Sequence, residues 1–142
     1  MPCPERKNPM SNILLVDDDD QLRPLMRLVL ERAGYSVREA HNGTDAMTQF
    51  TQHPADLVIT DLIMPDKEGL ALILELRRIN RKIKIVAMSG GGRVNPKDYL
   101  EVAKKFGANL ALNKPFSNSE LIHAVRQALE HNLPNKKDQS GF

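Results

Sequence analysis

The sequence predicts an α/β fold in which five parallel strands form a doubly wound sheet of order 2-1-3-4-5 with five helices. Three observations lead there. Short apolar runs recur at 13–16 (ILLV), 57–59 (LVI), 83–88 (IKIVAM) and 110–112 (LAL), with a weaker run at 35–40 (YSVREA). Segments with apolar residues at helical spacing separate them. The connections are short, and apolar strands alternating with helices call for a parallel sheet covered on both faces by right-handed crossovers.

Each element has a local reason. ILLV, with no polar alternation, reads as a buried strand. Over 21–33, Leu22, Leu25, Met26, Val29, Leu30 and Ala33 form one stripe that Gly34 ends, and Pro24 is tolerated because it falls in the first turn. The 35–40 run reads as a strand with one exposed face. Thr44 to Gln52 is a short second helix, closed before Pro54. Leu70, Ile73, Leu74 and Arg77 mark a third helix after the 57–59 strand. Pro96 to Phe106 is a fourth, with Asn95 as N-cap and Pro96 at the first position. A fifth runs over 118–131, with Ser117 as N-cap, Glu120 at the capping-box position and a stripe of Leu121, Ile122, Val125 and Leu129. At this length the flavodoxin-like arrangement is the leading choice.

The 142 residues, 41% hydrophobic, suit one globular domain with a core of its own. The expected organisation is a disordered leader over 1–11, a domain over 12–131 and a flexible tail over 132–142. No apolar run approaches the ~20 residues of a membrane span, and no secretory signal pattern opens the chain. The single cysteine, Cys3, excludes an internal disulfide framework. Together these point to the cytoplasm. The net charge of +2 resides in the ends, where Arg6 and Lys7 face Glu5, and Lys136 and Lys137 face Asp138. The stretch between is balanced, so the charge gives no reason to expect nucleic acid. The basic cluster Arg77, Arg78, Arg81, Lys82 and Lys84 reads as a solvated helix end favoured by the helix dipole.

In an open α/β sheet, ligands bind beyond the carboxyl ends of the strands, near the point where strand order reverses. Asp17 and Asp18 follow strand 1, Asp61 follows strand 3, Ser89 and Gly90-Gly91-Gly92 follow strand 4, and Lys114-Pro115 follow strand 5. Two like charges ~4 Å apart repel by about 4 kcal/mol at an effective dielectric of about 20. A divalent cation removes that cost, and Mg²⁺ takes one or two carboxylates while keeping waters and phosphate oxygens. Zinc is not indicated, because His41, His53, His123 and His131 are scattered and read as surface residues. Within the run Asp17 to Asp20, Asp20 suits a helix N-cap and Asp19 the first-turn dipole, which leaves Asp17 and Asp18 for metal. Lys114 and Ser89 are placed to hold phosphoryl oxygens.

With these residues in view, the chain resembles the receiver domain of two-component response regulators. The matching pieces are ILLVDDDD (13–20), DLVITDLIMPDKEGL (56–70), IVAMSGG (85–91) and GANLALNKPF (107–116). The resemblance implies that Asp61 accepts a phosphoryl group from a histidine kinase or histidine phosphotransfer protein. It implies Mg²⁺, or Mn²⁺, held by Asp17, Asp18, Asp61 and the backbone carbonyl of Ile63. Ser89 takes the Ser/Thr switch position and Lys114 the lysine position, with a cis Lys114–Pro115 bond. Gly69 fits the turn after the acceptor loop. The protein is then a signalling switch that catalyses only its own phosphorylation and dephosphorylation, not a conventional enzyme. Its output is binding to an effector protein, either as a monomer or as a phosphorylation-dependent dimer.

Three departures from the family pattern stand out. Ala111 occupies the position, three residues before the lysine, that is often aromatic in the family, so coupling runs through the loop and helix instead. The run GGGRVNP makes the loop after strand 4 longer and more flexible than is typical. With no effector domain read after residue 131, the expected output is protein binding, unless the chain is a piece of a longer regulator or hybrid kinase. A non-phosphorylated pseudo-receiver is the competing reading, against which every chemical position is filled. A haloacid-dehalogenase-like hydrolase would place an aspartate where Ile63 stands. A P-loop motif and flavin-flanking aromatics are lacking.

Overall fold

The computed structural model describes residues 11–62, 69–90, 101, 104–105 and 107–130. Five strands, β1 (Asn12–Val16), β2 (Ser36–Ala40), β3 (Leu57–Asp61), β4 (Lys84–Gly90) and β5 (Leu110–Lys114), form one sheet of order β2-β1-β3-β4-β5. Every pairing is parallel. Four helices are described: α1 (Leu22–Arg32), α2 (Gly43–Gln52), α3 (Gly69–Ile79) and α4 (Asn118–Glu130). Of the helix expected over 96–106, Glu101, Lys104 and Lys105 are described and helical, while Asn95 and Pro96 lie outside the described residues. The leader up to Met10 and the tail 132–142 lie outside them as well.

Strand alternation builds a core on each face of the sheet. Leu14, Val16, Val58, Ile85 and Ala87 point to one side, where they meet Ala46 and Phe50 of α2 and Leu72, Ile73 and Leu76 of α3. Ile13, Leu15, Ile59, Val86 and Met88 point to the other, against Met26 and Leu30 of α1 and Leu121 and Val125 of α4. These central strand residues have no exposed surface, which is why their sequence shows no polar alternation.

Several local expectations need correction. Leu25 is 61% exposed and Leu28 is exposed beside it, because the buried stripe of α1 is centred on Met26 and Leu30, and Leu25 lies about 100° around the helix from Met26. Leu74 of α3 is likewise exposed, since Leu72, Ile73 and Leu76 form the buried line there. β4 is longer than expected and carries Ser89 and Gly90 within the strand. α2 begins at Gly43, capped by Asn42, whose Oδ1 accepts from the Asp45 N–H at 2.7 Å. Two other ends form as their sequences imply. Gly34 takes φ +103° after α1. Ser117 and Glu120 exchange bonds of 2.8 and 3.0 Å in a reciprocal cap on α4.

Arg77 is not a solvated helix end. Its guanidinium donates to the carbonyls of Gly107, Arg81 and Ile83 and to Oδ1 of Asn109. It thereby staples the end of α3 to the turns entering β4 and β5. Burial pushes its pKa below the ordinary value.

Candidate functional site

Register brings the polar residues to one rim. Val16 pairs with Thr60, Asp61 with Met88, Ser89 with Asn113 and Gly90 with Lys114. Asp17 therefore leaves β1 beside the end of β3, where Asp61 is the last residue, and Lys114 is the last residue of β5. The sheet buries each backbone up to that rim, and the side chains emerge together.

Asp17 is fully buried, Asp18 is exposed and Asp61 lies between, and the three offer carboxylate oxygens within 4.8 Å of one another. The Lys114 ammonium bridges two of them, 2.9 Å from Asp17 Oδ2 and 3.0 Å from Asp61 Oδ2. Burial alone would lower the pKa of Lys114. The Asp61 charge and the hydrogen bonds to Asp17 and Asp61 outweigh burial and raise it, so the group stays cationic. One ammonium among three carboxylates leaves an oxygen-only, net negative donor set, which suits a hard divalent cation and not zinc. Asp17 Oδ1 also accepts the Asp19 N–H at 2.9 Å, so the buried carboxylate is held from both ends.

The remaining aspartates of the run are otherwise engaged. The N-capping role expected of Asp20 belongs to Asp19, whose Oδ1 accepts from the Gln21 and Leu22 N–H groups at 2.9 and 3.0 Å. Those bonds hold its carboxyl below the usual range. Asp20 pairs instead with Arg23 at 2.8 Å. Arg23, in the first turn of α1, was not singled out by its sequence context. The only signal was its i,i+3 spacing from Asp20.

Ser89 is buried at the end of β4, one residue beyond the partner of Asp61. Thr60, fully buried, donates from Oγ1 to the Asp61 carbonyl at 2.9 Å. Gly69 opens α3 with its N–H 2.9 Å from the Leu62 carbonyl. A Cβ there would stand 2.0 Å from the Asp61 carbonyl oxygen, so only glycine permits this approach. Gly69 is thus the first residue of a helix packed on the backbone of Asp61, where a turn was expected. The Lys114–Pro115 bond is cis. Ala111 pairs with Ala87 and is partly exposed. Ile63 and the run from Gly91 to Pro96 lie outside the described residues. His41, His53 and His123 are exposed, and among the described residues none belongs to the carboxylate cluster.

The family model for the response regulator receiver domain matches residues 13–126. The chain belongs to the response regulator receiver domain family. Over 124 residues the receiver is 35% identical to the DNA-binding transcriptional regulator NtrC of Azospirillum brasilense, a match covering 87% of this chain and 25% of the relative. It is 31% identical to sporulation initiation phosphotransferase F of Bacillus subtilis, over 82% of this chain and 92% of the relative. A solved receiver domain protein from Clostridium thermocellum superposes with a TM-score of 0.79 at 28% identity, covering 86% of this chain and 96% of the other. Four curated relatives are matched over only 25% to 56% of their own length. The domain over residues 13–126 is accordingly a phosphorylatable receiver of a two-component system, a unit that works as a signalling switch. Among the described residues, no helix is long and apolar enough to cross a membrane.

Proposed function

We propose that Asp61 is the phosphoacceptor, that Asp17, Asp18 and Asp61 with the carbonyl of Ile63 hold Mg²⁺, and that Lys114 and Ser89 receive the phosphoryl oxygens. The observation that carries this reading is the Lys114 ammonium bridging Asp17 and Asp61 inside a cluster of three carboxylates. A carboxylate oxygen of Asp61 attacks phosphorus in line. The bond from phosphorus to the donor imidazole nitrogen breaks, and its electron pair stays on that nitrogen. The donor is a histidine kinase or histidine phosphotransfer protein. Lys114 Nζ lies 3.0 Å from Asp61 Oδ2, so a phosphoryl group on that carboxylate carries an oxygen into its reach. Bound Mg²⁺ would supply further neutralisation of the charge on the transferring group. Water later attacks phosphorus and returns Asp61 to the carboxylate, so the chain catalyses only its own phosphorylation and dephosphorylation.

Ser89 then draws the segment after β4 toward the phosphoryl group and shifts the population between two arrangements of the face around β5. With Ala111 in place of an aromatic side chain, this shift travels through backbone and helix. The output is altered binding to an effector protein in the cytoplasm, by the unit spanning 12–131, alone or joined to further chain as in the relatives matched only in part.

The test is incubation with a small acyl-phosphate donor and Mg²⁺, read as intact mass. A single phosphoryl adduct is expected, absent in Asp61→Asn and after chelation. An adduct that persists in Asp61→Asn would remove Asp61 from the role. No adduct in the unaltered protein would favour a constitutive binding module.

A further inference from the structure

Asp18 is exposed, yet a cation ligand must be aimed. Its neighbour Asp17 is fixed at every polar atom the structure describes. The Asp17 N–H donates to the Ala40 carbonyl at 3.2 Å, and its carboxylate meets Lys114 and the Asp19 N–H. The Asp17 carbonyl accepts from Arg23 at 2.6 Å. That carbonyl and the Asp18 nitrogen belong to one rigid peptide plane, so whatever clamps the carbonyl sets the direction in which Asp18 leaves the strand. The same guanidinium donates to Glu39 of β2 at 2.9 Å and to Asp20 at 2.8 Å. Glu39 is itself held by Arg27 at 3.1 Å. The Arg23 side chain is only 13% exposed, so the guanidinium is largely covered, although the Asp20 carboxylate it reaches is 79% exposed.

From this geometry we infer that Arg23 is a positioning residue of the cation site, clamping the Asp17–Asp18 peptide to aim Asp18 while holding the Asp20 carboxylate away. The inference rests on the proposed reading of Asp17, Asp18 and Asp61 as cation ligands. It explains how a run of four aspartates presents two: Asp19 caps α1 and Asp20 is held by Arg23. A lysine cannot replace the fork, because one ammonium does not span three acceptors in fixed directions.

Sign separates positioning from electrostatics. Removing a cation beside an acidic loop should by itself tighten Mg²⁺ binding. Loss of aim should weaken it. The full chain, stripped of metal by chelation, is titrated with Mg²⁺ in a calorimeter, with folding checked by far-UV circular dichroism. Arg23→Gln and Arg23→Lys are each expected to weaken Mg²⁺ binding about tenfold or more, the usual effect of losing a group that orients a ligand. A merely structural role would lower the metal-free melting temperature and leave the Mg²⁺ dissociation constant of the folded protein unchanged. Equal or tighter binding by folded Arg23→Gln overturns the inference. Should that variant fail to fold, Arg23→Lys decides on the same criterion. Absence of binding by the unaltered protein overturns the cation reading itself, and this inference with it.

Discussion

Replacing Gly69 with alanine opposes two effects of known sign. Gly69 is the first residue of α3 and its φ is not positive, so alanine should gain about 0.5–1 kcal/mol from reduced chain entropy and better helix propensity. Against this, the new Cβ would meet the Asp61 carbonyl oxygen at 2.0 Å, the Leu62 Cα at 2.6 Å and the Asp61 carbonyl carbon at 2.9 Å. All three are backbone atoms, none the end of a flexible side chain. Separations under 3.0 Å essentially do not occur, so α3 and the end of β3 must part by an ångström or so. Such overpacking costs about 1–3 kcal/mol, occasionally more, and exceeds the propensity gain. Gly69→Ala should lose about 2 kcal/mol of stability, which at about 3–5 °C per kcal/mol lowers the melting temperature by about 6–10 °C. Because the displaced atoms belong to Asp61, phosphorylation from a small donor should slow as well. Gly34→Ala is the control. Gly34 has φ +103° with nothing within 4 Å of an added Cβ, so it should lose about 1–2 kcal/mol through backbone strain alone and phosphorylate normally. Urea denaturation of the metal-free proteins and timed intact-mass measurements provide both readouts. A Gly69→Ala protein as stable as the parent, or more so, would refute the reasoning.

Two further outcomes follow from the side-chain networks. Arg77→Met removes donors from the carbonyls of Gly107 and Ile83, both part-buried, and should cost about 2–6 kcal/mol in urea denaturation at about 1–3 kcal/mol per orphaned acceptor. A loss below about 1 kcal/mol would return Arg77 to a solvated helix end. Burial would raise the pKa of Glu39, but hydrogen bonds from Arg23 and Arg27 outweigh it and hold the value below the ordinary 4.5. Its contribution is therefore present above pH 4.5 and is lost as pH falls through the lower, folded value. Glu39→Gln should flatten that part of the stability–pH curve, measured by urea midpoints across the acid range, and an unchanged slope would exclude Glu39 as its source.

What was readable along the chain were the features that depend on near neighbours. Unbroken apolar runs such as ILLV mark strands covered on both faces, because a strand buried twice has no polar side to alternate with. The cap at Ser117 and Glu120 and the stop at Gly34 form within one turn, so their residues suffice to announce them. The gathering of Asp17, Asp18, Asp61 and Lys114 was legible for a related reason. Each follows an apolar run, and a parallel sheet delivers all its strand ends to one rim.

Tertiary structure alone decided which side of each marginal residue faces the core and which polar atoms pair over distance. Leu25 and Leu74 fit an apolar stripe by spacing, yet they lie just off the line each helix turns toward the sheet, and only the packing of the helix sets that rotation. Arg77 reads as one more cation at a helix end until the fold brings Gly107 and Asn109, thirty and thirty-two residues away, to its guanidinium. The division of labour among the four aspartates was settled in the same way. Their side chains are chemically identical, so the assignment comes from what each meets: Lys114 at Asp17, backbone N–H groups at Asp19, Arg23 with Glu39 of β2 behind it at Asp20. The chain determined that acid would collect at the rim. The partners that the fold brings from β2, α1 and β5 determined what Asp17 and Asp20 meet there.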